Sequence, residues 1–490
     1  MLHDVLNPTN SPIDAPAYVA GRWTTNGTPA ERFGPYTRDV VTRSYPATAE
    51  QIDAAREYAR TGAGVVATLA PATRAAVLEQ ASRLATEHRS DLARVIALEL
   101  GKPVRDGLGE MDRVADTFAV CASEARAIGG EMLPVAGWAR GVGNTALTYR
   151  APAGVALAIT PFNAPANLLA HKLGASFAAG NTTLVKAPPQ APATSAAMVA
   201  LVLAAGMPPE AVQLLHGGGD VGAALCAAPE VSVISFTGSP ETGAAVARAA
   251  GAKRLVLELG GNAATIVCAD ADLAHAARVC ARTGYSNSGQ SCISVQRVYV
   301  QRSRFDEFVE ALRVEVDQLV VGDPLDQATD VGSMVDEAAA TRVETWIQQA
   351  TESGGRLVTG GKRHGATLHP SVVADPPPDA TLVTEEVFGA LVAVLPFDDL
   401  DSVIETCNSS RFGLQAGLFT NDLATIITAW RELKVGGLIV NGSSNFRLDH
   451  VPFGGVKDSG FGREAPKQMI EDYTVVKTLI LRGTSIWGQA

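Results

Sequence analysis

Cys292 lies in a segment whose composition favours chemistry over burial. It follows Asn287-Ser288-Gly289-Gln290-Ser291, a run of small and polar residues rather than the apolar neighbours of a structural thiol. Such a run predicts a loop, where the backbone approaches a ligand closely and its N–H groups stabilise an oxyanion. Most free cysteines are buried structural residues, but this context predicts a nucleophile.

Two further polar residues stand where a predicted strand ends. Glu258 follows the apolar run Arg254–Leu257 and precedes Gly260-Gly261, which predicts a carboxylate that faces a cleft. Asn163 ends Thr160-Pro161-Phe162-Asn163, at the turn between another strand and its helix. Simpler explanations stay open here, because a solvated acid is common at turns and an asparagine often caps a helix.

The elements that must position these residues alternate from residue 154 onward. Predicted strands cover 154–160, 182–186, 211–215, 231–237 and 254–259, and predicted helices cover 166–179, 194–205, 219–227 and 240–250. This alternation predicts parallel strands with crossover helices, hence a doubly wound α/β sheet. A second series runs from 264–267 through 295–300 and a helix at 303–319 to about residue 440, so we expect two α/β halves with a cleft between them.

The chain before and after these series predicts other structures. Residues 71–100 have apolar side chains at three-and-four spacing, with Pro71 in a first turn and Gly101 and Pro103 at the end, and indicate one long helix. Residues 130–149 are typical of an extended hairpin. The strand-like tail 473–481 is its expected counterpart.

Composition excludes several classes of protein. The 490 residues, 47% hydrophobic and 19% charged, predict a globular chain with two large domains and a smaller element. A net charge of −11 argues against a nucleic-acid binder. The longest apolar runs, such as 196–207, are shorter than the roughly 20 residues of a membrane span, and Met1-Leu2-His3-Asp4 does not begin a secretory signal. Six cysteines without CxxC spacing form neither a disulfide framework nor a zinc site, so we expect no metal and a cytoplasmic location.

Six motifs together resemble the aldehyde dehydrogenase superfamily. Their order and spacing match from about residue 18 to residue 481, and Lys457, Ser459, Gly460 and Gly462 follow the last of them. The motifs are Pro161-Phe162-Asn163, Phe236-Thr237-Gly238-Ser239, Glu258-Leu259-Gly260-Gly261-Asn262, Gly289-Gln290-Ser291-Cys292, Glu386-Val387-Phe388-Gly389 and Pro452-Phe453-Gly454-Gly455.

The resemblance implies oxidation of an aldehyde to a carboxylate by covalent catalysis. Cys292 would attack the aldehyde carbon, and Asn163 with the Cys292 backbone N–H would hold the oxyanion of the thiohemiacetal. Glu258 would deprotonate the water that cleaves the later thioester. Lys172 resembles a lysine that supports this site, although it would equally suit a helix surface.

The resemblance also implies NAD or NADP as cofactor in a Rossmann-type domain. Lys186 would reach the cofactor ribose, and Ser239 would meet the pyrophosphate at a helix N-terminus. Residues 217–222, a weak glycine motif alone, would lie along the cofactor. The implied cofactor residues are Thr160, Pro161, Phe162, Lys186, Pro189, Gly218, Gly222, Phe236, Thr237, Gly238, Ser239, Leu259, Gly260, Glu386 and Phe388.

The chain departs from the family pattern at positions that set specificity. Pro189 replaces the glutamate by which many relatives exclude NADP, and Ala164 replaces an aromatic residue, which predicts a wider substrate funnel. Arg113 lies in a helix comparable to one that contributes an arginine in subfamilies that handle anionic aldehydes, such as non-phosphorylating glyceraldehyde-3-phosphate and phosphonoacetaldehyde dehydrogenases. Arg447 stands near a position where many relatives that oxidise neutral aldehydes have an aromatic residue. The stretch 449–460 is most similar to that branch and to lactaldehyde-type enzymes. Ser291 stands where that branch often has an arginine, so ordinary salt bridges stay open for both arginines. The substrate-binding candidates are Arg113, Ala164, Ser291, Arg447 and Phe453.

The resemblance further implies how the chain is divided. A cofactor domain would comprise 1–129 and 150–257, a catalytic α/β domain 258–440, and a return segment lining the active site 441–466. A small β arm would comprise 130–149 and 467–490 and would pair subunits in a homodimer or homotetramer. No nucleic acid or membrane is expected as a partner.

Two rival functions are considered. CoA-acylating semialdehyde dehydrogenases generally lack the glutamate that corresponds to Glu258, which this chain has. Catalytically silent relatives usually lose the cysteine or the asparagine, and Cys292 and Asn163 are both present. The sequence therefore favours an active, non-acylating enzyme, with an anionic or bulky substrate.

Overall fold

A computed structural model describes residue 6 and residues 12–484. The expectation about Met1-Leu2-His3-Asp4 and the 485–490 end of the predicted arm lie outside the described residues. The helices are α1 (Ala49–Thr68), α2 (Pro71–Glu87), α3 (Arg89–Leu100), α4 (Val104–Ala127), α5 (Pro165–Ala179), α6 (Pro192–Ala204), α7 (Gly219–Ala227), α8 (Pro240–Ala250), α9 (Leu273–Gly284), α10 (Phe305–Asp317), α11 (Glu337–Glu352), α12 (Thr381–Thr384), α13 (Leu400–Ser409), α14 (Leu423–Glu432) and α15 (Pro466–Asp472).

Most of the strands form two large sheets. The strands are β1 (Ile13–Ala15), β2 (Ala17–Val19), β3 (Arg22–Thr24), β4 (Ala30–Phe33), β5 (Val40–Ser44), β6 (Met132–Leu133), β7 (Asn144–Pro152), β8 (Val155–Ile159), β9 (Thr182–Lys186), β10 (Val212–Leu215), β11 (Val231–Thr237), β12 (Arg254–Glu258), β13 (Ala264–Val267), β14 (Arg297–Gln301), β15 (Arg356–Thr359), β16 (Arg363–His364), β17 (Thr367–Leu368), β18 (Ser371–Ala374), β19 (Leu391–Phe397), β20 (Phe412–Gly413), β21 (Gln415–Phe419), β22 (Gly437–Val440), β23 (Val456–Lys457), β24 (Gly460–Phe461) and β25 (Thr474–Arg482).

The first large sheet has eight strands in the order β24-β12-β11-β8-β9-β10-β2-β3. Its five central strands are parallel, and antiparallel strands close both edges. From β8 the chain proceeds through β9 and β10 on one side, then returns to β11 and β12 on the other. In such doubly wound sheets a ligand binds where the strand order reverses, beyond the carboxyl ends, which is here between β8 and β11.

The second large sheet has seven strands in the order β15-β18-β19-β14-β13-β21-β22. All of them are parallel except β15 at one edge. Central strands such as β8, β13 and β21 are buried along their whole length, because helices cover both faces of a parallel sheet. The predicted α/β class and the two successive series are confirmed, and the domain boundaries stay a prediction.

A third sheet stands apart from these two. Strand β25 pairs with β7 antiparallel over nine residues, from Thr474 opposite Pro152 to Arg482 opposite Asn144, and β6 joins the other side of β7. The extended segment and the strand-like tail are therefore paired, as expected from the sequence. The other edge of β25 has no partner strand within the described residues.

The single helix predicted for 71–100 is wrong. Helix α2 ends at Glu87 and α3 begins at Arg89, since His88 has a ψ of 17° rather than a helical value. Polar residues at 86–89 interrupt the apolar repeat at this point, and both halves pack against α4. Gly101 ends α3 in the left-handed conformation, as its residue type predicts.

Membrane-spanning helices were sought in the described ranges. No helix there has on its own the length and hydropathy needed to cross a bilayer, although α1 and α2, joined at a bend of 108°, pass the same test as a pair.

Candidate active site

Cys292 follows the turn Ser286–Gly289, in which three consecutive residues have left-handed backbone. The φ angles are 50° at Asn287, 55° at Ser288 and 73° at Gly289. Side chains at the first two positions make this backbone costly, so contacts from outside the turn must hold it. At Gly289 a Cβ would lie 2.1 Å from the carbonyl oxygen of Gly389, which leaves no room for a side chain.

Hydrogen bonds from two directions hold this turn. The Asn287 N–H donates to the Asp106 carboxylate at 2.7 Å, and the Ser288 hydroxyl donates to the Gly332 carbonyl at 3.0 Å. The Gln290 side-chain oxygen accepts from the Val335 N–H at 2.8 Å. Asp106, at the start of α4, therefore positions the loop 286–292, which carries the predicted nucleophile Cys292 and which we call the nucleophile loop.

Asn163 lies against the same loop. Its Nδ2 donates to the Gln290 carbonyl at 3.1 Å, and the Asn287 Nδ2 donates to the Asn163 carbonyl at 3.0 Å. The N-cap of α5 is Ala164, so helix capping does not explain Asn163. An amide group has two N–H donors, and only one of them is used within the described residues, so the other is available for the predicted contact to an oxyanion.

Helix α4 presents a row of polar side chains to the site. Glu110 accepts from the Ala166 and Asn167 N–H groups at 2.8 and 3.1 Å, and it pairs with Lys102 at 2.7 Å. These bonds fix the first turn of α5, directly after Asn163. The polar positions are Asp106, Glu110, Arg113 and Thr117, which share one helix face. The three-and-four spacing of these four polar residues, on a helix that otherwise buries apolar side chains, is the sequence signal that identifies Glu110, which the sequence prediction missed.

Glu258 is the last residue of β12 and is 2% exposed. Neither carboxylate oxygen has a hydrogen-bond partner within the described residues. Burial, together with the nearby negative charge of Glu464, raises the pKa of Glu258 well above its ordinary value. The alternative of a solvated acid at a turn is therefore wrong, since burial disfavours the charged form of this carboxyl group.

Lys172 and Glu464 form a buried ion pair behind Glu258. Lys172 Nζ donates to Glu464 and, at 2.7 Å, to the Thr237 hydroxyl. Burial alone would raise the pKa of Glu464, but the Lys172 and Arg447 charges outweigh it and lower the pKa to about 2. The alternative of a helix-surface lysine is wrong because Lys172 is fully buried. Glu464 was missed in the sequence, although it follows the glycine-rich 454–462 segment.

The Gly260-Gly261 pair brings two other parts of the chain to the end of β12. A Cβ on Gly260 would lie 2.4 Å from a Glu386 carboxylate oxygen, and one on Gly261 would lie 2.2 Å from the Cys292 carbonyl oxygen. The Gly261 N–H donates to Glu386 at 2.8 Å. Burial raises the pKa of Glu386 to about 7, and the Gly261 N–H opposes this rise. Glycine at both positions therefore lets Glu386 and the nucleophile loop approach Glu258.

The thiol of Cys292 is half-buried at the bottom of this arrangement. Burial raises its pKa to about 12, and the nearby Glu258 and Glu386 carboxyl groups add to the rise. The thiol is therefore protonated at neutral pH in this state and needs a base before it attacks a carbonyl carbon.

The residues predicted to hold a cofactor line the carboxyl edge of the eight-stranded sheet. Gly218 and Ser239 are the N-caps of α7 and α8, two helix N-termini that suit a pyrophosphate. Phe162 packs edge-on against Phe388, with ring centroids 5.9 Å apart. The remaining ones lie after β8 (Thr160, Pro161), in or after β11 (Phe236, Thr237, Gly238), after β12 (Leu259, Gly260) and in α7 (Gly222), and Glu386 borders them.

Lys186 is the last residue of β9, which lies next to β8 on the side away from β11. Burial lowers its pKa to about 8, and the charge of Asp220 opposes that shift. Pro189 is exposed three residues later, where it offers neither a charge nor a hydrogen-bond donor. The residue types at this edge, a cation with helix N-termini, fit a dinucleotide.

A cavity of about 920 Å³ leads from the surface to the nucleophile loop, and we call it the funnel. Asn163, Ala164 and Ser291 line it beside the loop, and a funnel wider than that of relatives with an aromatic residue at this position stays a prediction. Arg113 also lines it and makes a two-bonded contact to Asp449, from Nε at 2.9 Å and from Nη2 at 2.7 Å. Its Nη1 has no partner within the described residues.

Arg447 and Phe453 lie behind the funnel wall. The Arg447 guanidinium is 4.2 Å above the Phe453 ring and donates to the Glu464 carbonyl at 2.7 Å. It does not line the funnel. Both Arg113 and Arg447 therefore form salt bridges, with Asp449 and Glu464 respectively. This agrees with the simpler of the two explanations that the sequence left open. A contact to substrate stays a prediction for each arginine.

Comparisons with known proteins agree with this geometry. The model of the aldehyde dehydrogenase family matches residues 23–479. The chain is 40% identical over 465 residues to 3-sulfolactaldehyde dehydrogenase of Priestia aryabhattai, covering 95% of this chain and 97% of that protein.

Two solved structures have closely similar folds. Aldehyde dehydrogenase 21 from Physcomitrella patens, in complex with its reaction product succinate, gives a TM-score of 0.94 at 33% identity, covering 97% of this chain and all of that one. The glyceraldehyde-3-phosphate dehydrogenase GapN of Methanocaldococcus jannaschii, complexed with NADP, gives 0.90 at 32% identity, with coverages of 93% and 99%.

Proposed function

The chain belongs to the aldehyde dehydrogenase family and oxidises an aldehyde to a carboxylate with NAD(P)⁺, and we propose that its substrate is a short anionic aldehyde. The reaction passes through a thiohemiacetal and a thioester on a cysteine. We assign that cysteine as Cys292, because its loop faces the funnel on one side and the cofactor edge on the other.

The first half of the reaction forms and oxidises the thiohemiacetal. Cys292 Sγ transfers its proton to ionised Glu258, which passes it on to solvent, and Sγ bonds to the aldehyde carbon while the carbonyl electrons move to oxygen. The free N–H of Asn163 and the backbone N–H of Cys292 hold that oxyanion. Residues at the cofactor edge, among them Gly218, Ser239 and Glu386, would hold a nicotinamide dinucleotide, which would supply the acceptor for the hydride of the former aldehyde carbon. The oxyanion electrons then restore the C=O bond, and the thioester remains on Cys292.

The second half releases the acid. Glu258 takes one proton from a water molecule, whose oxygen bonds to the thioester carbon, and the C–S bond breaks to return Cys292 as thiolate. The anion of Glu464, held by Lys172, keeps the proton affinity of Glu258 high, so Glu258 is a strong base once it is ionised. This function for Glu258 distinguishes the chain from enzymes that pass the acyl group to CoA.

The main support for an anionic substrate is Nη1 of Arg113, which has no hydrogen-bond partner within the described residues. Arg113 lines the funnel and is held in place by Asp449 through Nε and Nη2, while Nη1 is available as a donor to an anion. The relatives reported above act on a sulfonate, release the dicarboxylate succinate or act on a phosphate, and all three are anions. The shared chemistry is a small aldehyde with an anionic group.

A matched pair of aldehydes tests this substrate class. 3-Sulfolactaldehyde and lactaldehyde have the same hydroxyaldehyde end and differ by the sulfonate. We expect kcat/KM for the anionic member to be at least tenfold higher, which is about 1.4 kcal/mol. Equal values, or a preference for lactaldehyde, would contradict the proposal.

We also propose that the enzyme uses both cofactors, with a preference for either below about tenfold. Pro189 removes the carboxylate that would bind the ribose hydroxyls and repel a 2′-phosphate, and Lys186 is the nearby cation. Steady-state kcat/KM values for NAD⁺ and NADP⁺ measure the ratio. Pro189→Glu should shift the ratio toward NAD⁺, and a hundredfold preference for NAD⁺ in the unmodified enzyme would refute the proposal.

A homodimer or a dimer of dimers is proposed for the assembly. Apolar side chains are exposed along β25, and its outer edge is unpaired within the described residues; they are Val475, Val476, Leu479, Ile480 and Leu481. Such an edge is a pairing surface that closed symmetry removes from solvent. Light scattering at micromolar concentration should give two or four times the chain mass of 50.9 kDa. A mass of one chain would contradict this assembly.

The domain division stated above and a cytoplasmic location complete the proposal. The eight-stranded sheet supports a cofactor domain, although its edge strand β24 comes from the segment that returns at 441–466. All six cysteines are free thiols, which supports a reducing compartment where Cys292 stays usable.

A further inference from the structure

Five cationic side chains line the funnel, and three of them are already neutralised. Lys102 pairs with Glu110 at 2.7 Å, Arg105 pairs with Asp330, and Arg113 pairs with Asp449 at 2.7 Å. The other two, Arg278 and Arg282, are exposed and form no ion pair or hydrogen bond within residues 12–484. The uncompensated positive charge of the funnel is therefore on one wall.

Arg278 and Arg282 occupy one face of α9, four residues apart, so that their side chains are neighbours. Helix α9 ends at Gly284, directly before the turn that carries Cys292. Ala281, between the two arginines, also lines the funnel. The arginine pair thus belongs to the wall that leads from the surface to the nucleophile.

The end of α9 does not need these arginines for its own stability. Arginines in a last turn often bond the free carbonyl groups of a helix C-terminus. Here the Asn445 amide donates to the Thr283 carbonyl at 2.7 Å, and the Ser294 hydroxyl donates to the Gly284 carbonyl at 3.0 Å. Arg278 and Arg282 contact neither carbonyl, and all of their donors stay available.

We propose that Arg278 and Arg282 capture the anionic group of the substrate at the mouth of the funnel and guide the aldehyde end toward Cys292. This inference rests on the proposed anionic substrate and assigns where its charge is first bound. Positive charge on one wall of a cleft raises the local concentration of an anion and its association rate, and salt screens the effect. Glu315 on α10 lines the same mouth without an ion pair and opposes the attraction.

The double variant Arg278→Gln/Arg282→Gln tests the capture site. For 3-sulfolactaldehyde we expect kcat/KM to fall roughly three- to tenfold at low ionic strength, with kcat within about twofold, because the pair acts before chemistry. Added salt should reduce the difference from the unmodified enzyme. Lactaldehyde, which lacks the sulfonate, should keep its kcat/KM, and the thermal unfolding midpoint should not move.

Two further variants separate this site from net charge. Arg94→Gln/Arg248→Gln removes the same charge from exposed helix positions that do not line the funnel, and it should leave both substrates unaffected. Glu315→Gln removes a negative charge from the mouth of the funnel. It should raise kcat/KM for 3-sulfolactaldehyde and leave that for lactaldehyde unchanged, which is the opposite of the fall expected for the arginine double variant.

The outcomes distinguish the two proposals. If the unmodified enzyme does not prefer 3-sulfolactaldehyde over lactaldehyde, the anionic substrate is wrong. If it does, but the double variant keeps its kcat/KM for the anion or loses both substrates equally, the capture site is wrong and Arg113 is the remaining anion contact on the funnel wall.

Discussion

Replacing Cys292 by alanine should abolish aldehyde oxidation while the protein stays folded and binds its cofactor. Without Sγ no thiohemiacetal forms, and the variant should lose roughly four orders of magnitude or more in kcat. The loop itself should persist, because Asp106, Gly332 and Val335 hold it through contacts that do not involve the thiol. Absorbance at 340 nm with NAD⁺ and aldehyde measures the loss.

Cys268→Ala is the matched control for this variant. Cys268 is also a free thiol, but it is buried in the core of the seven-stranded sheet rather than in the loop between the funnel and the cofactor edge. Its replacement should leave turnover near that of the unmodified enzyme. Steady-state NADH formation by Cys292→Ala, at a rate above the control without enzyme, would refute the assignment of the nucleophile.

Local sequence was sufficient for the elements that carry the site. The strand before Glu258 and the strands on either side of the switch point are short buried runs, and their ends fall within one or two residues of the predicted ones. The Gly260-Gly261 pair is the sequence feature that permits close contact between segments. Gly260 leaves room only for a hydrogen atom beside Glu386, and Gly261 does so beside Cys292. The break at His88 was missed because no glycine or proline marks it.

The missed residues act across long sequence separations. Glu464 meets Lys172 from 292 residues away, and Asp449 meets His171 from 278 residues away. No local sequence pattern predicts such pairs. Taken alone, Glu464 and Asp449 are ordinary acidic residues in the segment that follows the second large sheet. Burial lowers the pKa of His171 to about 4, so it is neutral beside Asp449. Glu110 is the exception, because the spacing of the polar residues 106, 110, 113 and 117 on one face of α4 is visible in the sequence.

Glu258→Gln should separate the two halves of the reaction. The amide keeps the shape of the carboxyl group but takes no proton from water, so kcat should fall by roughly two orders of magnitude or more. A burst of NADH equal to the enzyme concentration should survive wherever hydride transfer is faster than hydrolysis. Stopped-flow absorbance resolves the burst from the steady state.

The same residue predicts a pH dependence. Because burial and Glu464 raise the pKa of Glu258, the base is protonated at lower pH and becomes ionised only as pH rises through that pKa. Where hydrolysis limits turnover, kcat should therefore increase with pH, and Glu258→Gln should remove this limb of the profile. A profile that the variant shares with the unmodified enzyme would assign the limb to another group.

The thioester itself is the most direct test of the covalent mechanism. Glu258→Gln, mixed with aldehyde and NAD⁺ and quenched in acid, should carry one acyl group, which mass spectrometry locates after tryptic digestion. Cleavage at Arg282 and Arg297 gives the peptide 283–297, in which Cys292 is the sole cysteine. We predict the acyl group on this peptide when NAD⁺ is present, and its absence when NAD⁺ is omitted. NADH formation without the adduct, or an acyl group on any other cysteine, would contradict the account.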